Sequence, residues 1–81
     1  MDTCNVFLVD PDGGKRPYPA NLNHRLEKFL EVVSILTGTK NTAINLGDRI
    51  YGQDSYNTTL RNLGLRPGMD VELMATFKGG S

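Results

Sequence analysis

Between Leu22 and Leu36 the apolar residues recur at helical spacing, the only such run in the 81-residue chain. Leu22, Leu26, Phe29, Leu30, Val33 and Leu36 fall on one stripe, and Val32 and Ile35 widen it. The spacing predicts one long helix, capped at its start by Asn21 or Asn23 and stopped by Gly38, with Glu27 near its positive end. So broad an apolar face has to be pressed on a sheet, and the remaining residues must supply that sheet. Eighty-one residues allow a single domain with one modest core.

The strands can be placed from turn chemistry. Cys4-Asn5-Val6-Phe7-Leu8-Val9 is rich in β-formers and reads as a central strand. Asp10-Pro11-Asp12-Gly13-Gly14-Lys15 then supplies a hairpin loop. The return strand Arg16-Pro17-Tyr18-Pro19-Ala20 carries prolines two apart, so both missing N–H groups fall on one side and the strand belongs at an edge. After the helix, Ala43-Ile44-Asn45-Leu46 reads as a strand turning at Gly47-Asp48-Arg49 into a short Ile50-Tyr51 strand. Thr58 to Leu65 reads as a helical turn with Leu60 and Leu63 inward, and Arg66-Pro67-Gly68-Met69 has the order of a type II turn. From Asp70 to Phe77 residues alternate, with Val71, Leu73 and Ala75 on one face and Glu72, Met74 and Thr76 on the other. With the proline strand at an edge, the first strand is free to pair in parallel with this last one.

Composition excludes several functions. Lysine plus arginine equals aspartate plus glutamate, nine each and dispersed, so no field gathers nucleic acid or an acidic membrane. Cys4 and His24 are the single cysteine and histidine, which leaves a metal cage or a Ser-His-Asp triad poorly supplied. Cys4 reads as a small strand residue, and His24 as a local hydrogen-bond partner or a solvent-facing ring. Tyr18, Tyr51 and Tyr56 read as residues packing over sheet edges and loops. The Asp10 to Gly14 loop lacks the acid spacing of a calcium loop and the lysine of a phosphate loop. No apolar stretch reaches transmembrane length, and the N-terminus lacks a signal-peptide pattern. The expectation is a cytoplasmic, monomeric, non-enzymatic α+β domain without cofactor or metal.

The order hairpin, helix, two short strands, helical turn, final strand is that of the β-grasp fold, and over nearly its full length the chain resembles ubiquitin and its small relatives. Thr59-Leu60-Arg61-Asn62-Leu63-Gly64-Leu65 with the strand that follows is similar to the family's Thr-Leu-Ser-Asp-Tyr-Asn-Ile stretch. Ile44-Asn45-Leu46-Gly47 resembles its Ile-Phe-Ala-Gly segment, and Gly79-Gly80 stands at the family's distance from Thr59-Leu60. The resemblance divides the chain into a domain over residues 1–76 and a flexible diglycine tail over 77–81. It implies a modifier precursor cut after Gly80 by a processing peptidase that removes Ser81. Gly80 would then be activated by an E1-like enzyme, passed to an E2-like carrier and joined to target amines, with Gly79 giving steric access and Thr76, Phe77 and Lys78 forming the recognised tail. It places Ile44 and Met74 together on the outer sheet face as a partner patch.

Departures narrow the resemblance. Asp48 stands where ubiquitin has its best-known chain-forming lysine, and the tail has one basic residue, Lys78, beside Phe77. A dedicated E1 is therefore expected, as for bacterial or archaeal ubiquitin-like proteins. Two other readings stay open: a non-conjugated β-grasp interaction domain, and a sulfur carrier using a Gly80 thiocarboxylate. A terminal Gly-Gly-Ser is also what a plain linker looks like.

Overall fold

The computed structural model describes residues 2–75. Strand β1 (Thr3–Val9) and strand β2 (Lys15–Asn21) form an antiparallel hairpin that pairs without a break from Thr3↔Asn21 to Val9↔Lys15. Helix α1 (Leu26–Thr37) follows, then strand β3 (Ala43–Leu46), strand β4 (Arg49–Tyr51), a 3₁₀ turn at Gln53–Ser55, the single turn α2 (Leu60–Leu63) and strand β5 (Asp70–Met74). The sheet order is β2-β1-β5-β3-β4. As expected, the last strand lies beside the first, in parallel, with Leu8 opposite Val71.

Turn chemistry sets the corners. Gly13 N–H donates to the Asp10 carbonyl and Asp10 N–H to the Gly14 carbonyl, with Gly13 at φ +93°, which closes the first hairpin. At Arg66-Pro67-Gly68-Met69 the Met69 N–H reaches the Arg66 carbonyl at 3.2 Å with Gly68 at φ +80°, the type II turn that proline then glycine favour. The unbroken β1–β2 ladder places the missing N–H groups of Pro17 and Pro19 on the open side of β2, which removes donors from that sheet edge.

The core lies between the sheet and α1. Val6, Leu8, Ala20, Leu26, Phe29, Val33, Ile44, Leu60 and Val71 are almost fully buried. Tyr18 meets Phe29 edge to face, with ring centroids 5.7 Å apart. Strand β1 alternates strictly, burying Cys4, Val6 and Leu8 and turning Asn5 and Phe7 outward, so its near-continuous apolarity conceals a two-sided strand.

Two expectations about the helix are corrected. Neither Asn21 nor Asn23 caps it: the N-cap is Arg25, without a side-chain bond, and Asn21 Oδ1 instead accepts from Asn23 N–H at 2.9 Å. The first helical N–H groups are satisfied by backbone, Leu26 donating to the Thr58 carbonyl and Glu27 to the Tyr56 carbonyl, so tertiary structure replaces the cap. The stripe is also narrower than its apolar residues imply. Leu26, Phe29, Leu30 and Val33 are buried, Val32 is half-buried, Leu36 is 48% exposed and Ile35 is 79% exposed. One helix resting on one sheet buries a single face, and Ile35 projects roughly opposite to it at 3.6 residues per turn.

Phe29→Ala should destabilise the fold by about 3–5 kcal/mol in urea unfolding, whereas Ile35→Ala should stay within about 0.5 kcal/mol. Burial raises the Tyr18 phenol above its ordinary pKa of 10.0. The folded state thus favours the protonated phenol; that contribution is complete below about pH 10 and is lost as pH rises through the folded value. Tyr18→Phe should therefore lose less stability than the wild type between about pH 9 and about pH 11, read from urea midpoints.

Candidate functional site: the outer sheet face and the end of the last strand

The face of the sheet turned away from α1 is built from alternate residues of its five strands. Strand β1 contributes Asn5 and Phe7, and β2 contributes Pro17 and Pro19, opposite Phe7 and Asn5 respectively. Asp70, Glu72 and Met74 come from β5, Ala43 and Asn45 from β3, and Ile50 from β4.

The expected pairing of Ile44 with Met74 does not form. Ile44 sits opposite Leu73 and is fully buried under the helix, while half-buried Met74 sits opposite Ala43 on the other face. A strand has a side-chain period of two, so reading β3 one residue out of register exchanges its faces. Asn45, not Ile44, occupies the outer position; it lies between Glu72 of β5 and Ile50 of β4.

The outer face is consequently mixed rather than a single apolar patch. Phe7 is 37% exposed and Ile50 62% exposed, on strands separated by β5 and β3. Lys15 Nζ lies 5.3 Å from the Phe7 ring centre and 3.1 Å from Asp70 Oδ1, tying hairpin, aromatic ring and last strand together. With both side chains about half exposed, such a charge pair adds little to stability. Sequence reading missed this cluster. The signal for it was the polar Thr3 and Asn5 preceding Phe7 at alternate positions of β1.

At its end β5 is fastened by the Thr42 N–H donating to the Met74 carbonyl at 2.9 Å. The next residue, Ala75, lines a cleft of about 400 Å³ shared with Asp10, Asp12, Arg16, Thr37 and Asn41. Asn41 holds that corner. Its N–H donates to Ser34 Oγ at 2.9 Å, and its Nδ2 donates to Thr37 Oγ1 at 3.2 Å and the Thr39 carbonyl at 3.1 Å. Because the Thr39 carbonyl can only accept, the amide orientation is determined, and the 4%-exposed Asn41 fastens the end of α1 to the start of β3. Thr76, Phe77, Lys78, Gly79, Gly80 and Ser81 lie outside the described residues.

Cys4 is buried in β1, and Tyr51 and Tyr56 pack against the core, with the Tyr56 hydroxyl donating to the Thr42 carbonyl. The His24 carbonyl accepts from Leu60 N–H at 2.9 Å. Among the described residues no three His, Cys, Asp or Glu side chains gather as metal ligands, and no helix is long and apolar enough to cross a membrane.

No protein-family model matches the chain, and no curated protein matches it. Solved structures do. Caldiarchaeum subterraneum ubiquitin superposes with a TM-score of 0.74 at 18% identity, over 96% of this chain and 99% of that one. The C-terminal ubiquitin-like domain of human 2'-5'-oligoadenylate synthetase-like protein gives 0.76 at 19% identity, over 100% and 93%. The UBL domain of yeast Ddi1 gives 0.78 at 11% identity, over 99% and 96%. The fold is a ubiquitin-like β-grasp. At such identities the likeness is one of fold, and the β-grasp is shared here by a ubiquitin and by domains named as parts of other proteins.

Asn41→Ala removes two side-chain hydrogen bonds, one to Thr37 at the end of α1 and one to the Thr39 carbonyl, that hold the loop between α1 and β3. It should lower stability by about 1–3 kcal/mol in urea unfolding while leaving the outer face unchanged.

Proposed function

We propose that this β-grasp domain is a protein modifier that acts through the carboxylate of Gly80. The observation that carries the reading is the position of β5. It is a central strand, fastened at Met74, and the sequence after it reaches Gly79-Gly80 within six residues. Thr76 to Gly80 would span at most about 17 Å when extended, enough to carry a carboxylate away from the domain body. Glycine has no Cβ, so an enzyme's catalytic groups can close around the backbone at positions 79 and 80.

In this reading a processing peptidase cuts the Gly80–Ser81 bond. The Gly80 carboxylate then attacks the α-phosphorus of ATP in an E1-like enzyme, giving an acyl adenylate and pyrophosphate. A cysteine thiolate displaces AMP to form a thioester, which an E2-like carrier takes over by exchange. A target amine displaces the thiolate, leaving an isopeptide bond. Residues 1–76 serve as the folded body and 77–81 as the tail, with Thr76, Phe77 and Lys78 read by the activating enzyme.

A second reading, a non-conjugated interaction domain, draws support from the mixed outer face around Phe7, Lys15 and Asp70, which offers a partner specific polar and aromatic contacts. Because Ile44 is buried, neither reading uses the Ile44–Met74 patch.

The chain ending at Gly80, incubated with ATP and its cognate E1-like enzyme, should form an adenylate and then a thioester, visible by intact mass and by pyrophosphate exchange. Gly80→Ala should slow exchange at least about tenfold, corresponding to some 1.4 kcal/mol of activation free energy. A product in which sulfur replaces one carboxylate oxygen would identify a carrier instead. Full biological activity after deletion of Gly80 would overturn both uses of this carboxylate and leave the interaction domain.

A further inference from the structure

Strand β5 leaves the sheet beside the loop that closes the first hairpin. Val9 pairs in parallel with Glu72, so β1 and β5 run out at the same end, and the loop from Asp10 to Gly14 stands next to the exit of the last strand. Helix α1 reaches the same corner through Thr37. Ala75 lines the cleft of about 400 Å³ between them, so the residues that follow start from its wall. A cleft of that size has room for an aromatic ring.

Charge at its rim is unbalanced. A Cβ on Gly14 would lie 3.2 Å from Asp10 Oδ2 and 3.3 Å from Asp12 Oδ1, so the two carboxylates converge on one point. Arg16 Nη2 lies 3.6 Å from Asp10 Oδ2, and among the described residues no cation pairs with Asp12. The neighbouring lysines are placed elsewhere: Lys15 meets Asp70, and Lys40 lines a different hollow with Glu27 and Glu31. Asn41, also lining the cleft, has a buried Oδ1 to which no described group donates. A buried acceptor of that kind calls for a donor.

We propose that this cleft is the seat of the chain's own residues 76–78, with Phe77 entering it and Lys78 pairing with Asp12. Three observations select this occupant. The first is tethering: Ala75 is already in the wall, and Lys78 stands three residues on, at most about 10 Å of extended chain. The second is direction. Val71 and Leu73 are buried on the helix side of β5 and Ala75 lines the cleft, so an extended continuation brings Phe77 to that side. The third is charge, since Lys78 is the one basic residue after Ala75 and the rim has one carboxylate more than it has cations. The peptide N–H groups of residues 76 and 77 supply the kind of donor that Asn41 Oδ1 lacks. This seat holds the tail by its first three residues, leaves Gly79-Gly80 beyond it, and does not depend on the use made of the Gly80 carboxylate.

NMR relaxation on the full chain tests the proposal. Amide order parameters of residues 76–78 should approach the rigid value of about 0.85, and the Phe77 ring should show cross-peaks to Pro11 and to the Thr37 methyl group. Phe77→Ser should drop all three order parameters below about 0.6 while the amide spectrum of the folded body keeps its dispersion. Asp12→Asn keeps the Oδ1 that accepts from Gly14 N–H and removes only the charge; it should lower the order parameter of Lys78 while Phe77 keeps its contacts. None of the wild-type values should change on dilution, because the seat and its occupant belong to one chain. Wild-type order parameters below about 0.6 at residues 76–78, or a Phe77 ring without those cross-peaks, overturn the proposal. So do an ordered tail that ignores Phe77→Ser, a Lys78 indifferent to Asp12→Asn, and order that is lost on dilution and so belongs to another copy's tail.

Discussion

The parallel pairing of β1 with β5 is the constraint on which the rest of the structure depends. It joins residues more than sixty positions apart, Leu8 with Val71 and Val9 with Glu72, and must enclose everything between them. The pairing begins at the Pro67-Gly68 turn, where Gly68 N–H donates to the Asn5 carbonyl at 2.7 Å and Phe7 N–H to the Met69 carbonyl at 2.9 Å. Once β5 occupies the position beside β1, β2 is confined to an edge and β3 must pair on the far side. A parallel neighbour needs a long crossover, and α1 with the β3–β4 hairpin is that crossover.

The same constraint fixes what faces solvent. Helix α1 covers one side of the sheet, and its N-terminus is satisfied by carbonyls of the 56–58 segment rather than by a side chain. In return, Leu60 N–H donates to the His24 carbonyl and Arg61 N–H to that of Leu22, so α2 and the start of α1 hold each other. Arg61 continues the link through its guanidinium, 3.1 Å from both Asp2 and Asn23. The opposite face of the sheet is left open, and the Lys15–Asp70 pair over Phe7 places charge and an aromatic ring at the β1–β5 seam.

Much of the architecture was legible in the sequence because its signals are local. Pro67-Gly68 demands a φ that glycine alone supplies easily, Gly38 ends the helix at φ +72°, and the alternate prolines forbid a central position for β2. The faces of short elements were less legible. Strand β3 spans four residues, too few for alternation to establish its phase, and the family resemblance that sets Ile44 outward does not hold at this position: Ile44 belongs to the core. The helix shows the converse. Val32, Ile35 and Leu36 are as apolar as Leu26 or Val33, so residue type alone does not separate a residue facing the sheet from one facing solvent; the helical period does, and it sets Ile35 opposite the buried stripe.

The sequence by itself determined the element order, the turns, the edge strand and the presence of Gly79-Gly80 beyond a final alternating strand, because backbone preferences and hydrophobic periodicity act over a few residues. Tertiary structure alone decided which side of each short strand is buried, how the start of α1 is capped, and that Phe7, Lys15 and Asp70 meet. Those outcomes depend on pairing register and on the width of one helix laid on one sheet, and both are set by contacts between residues distant in the chain.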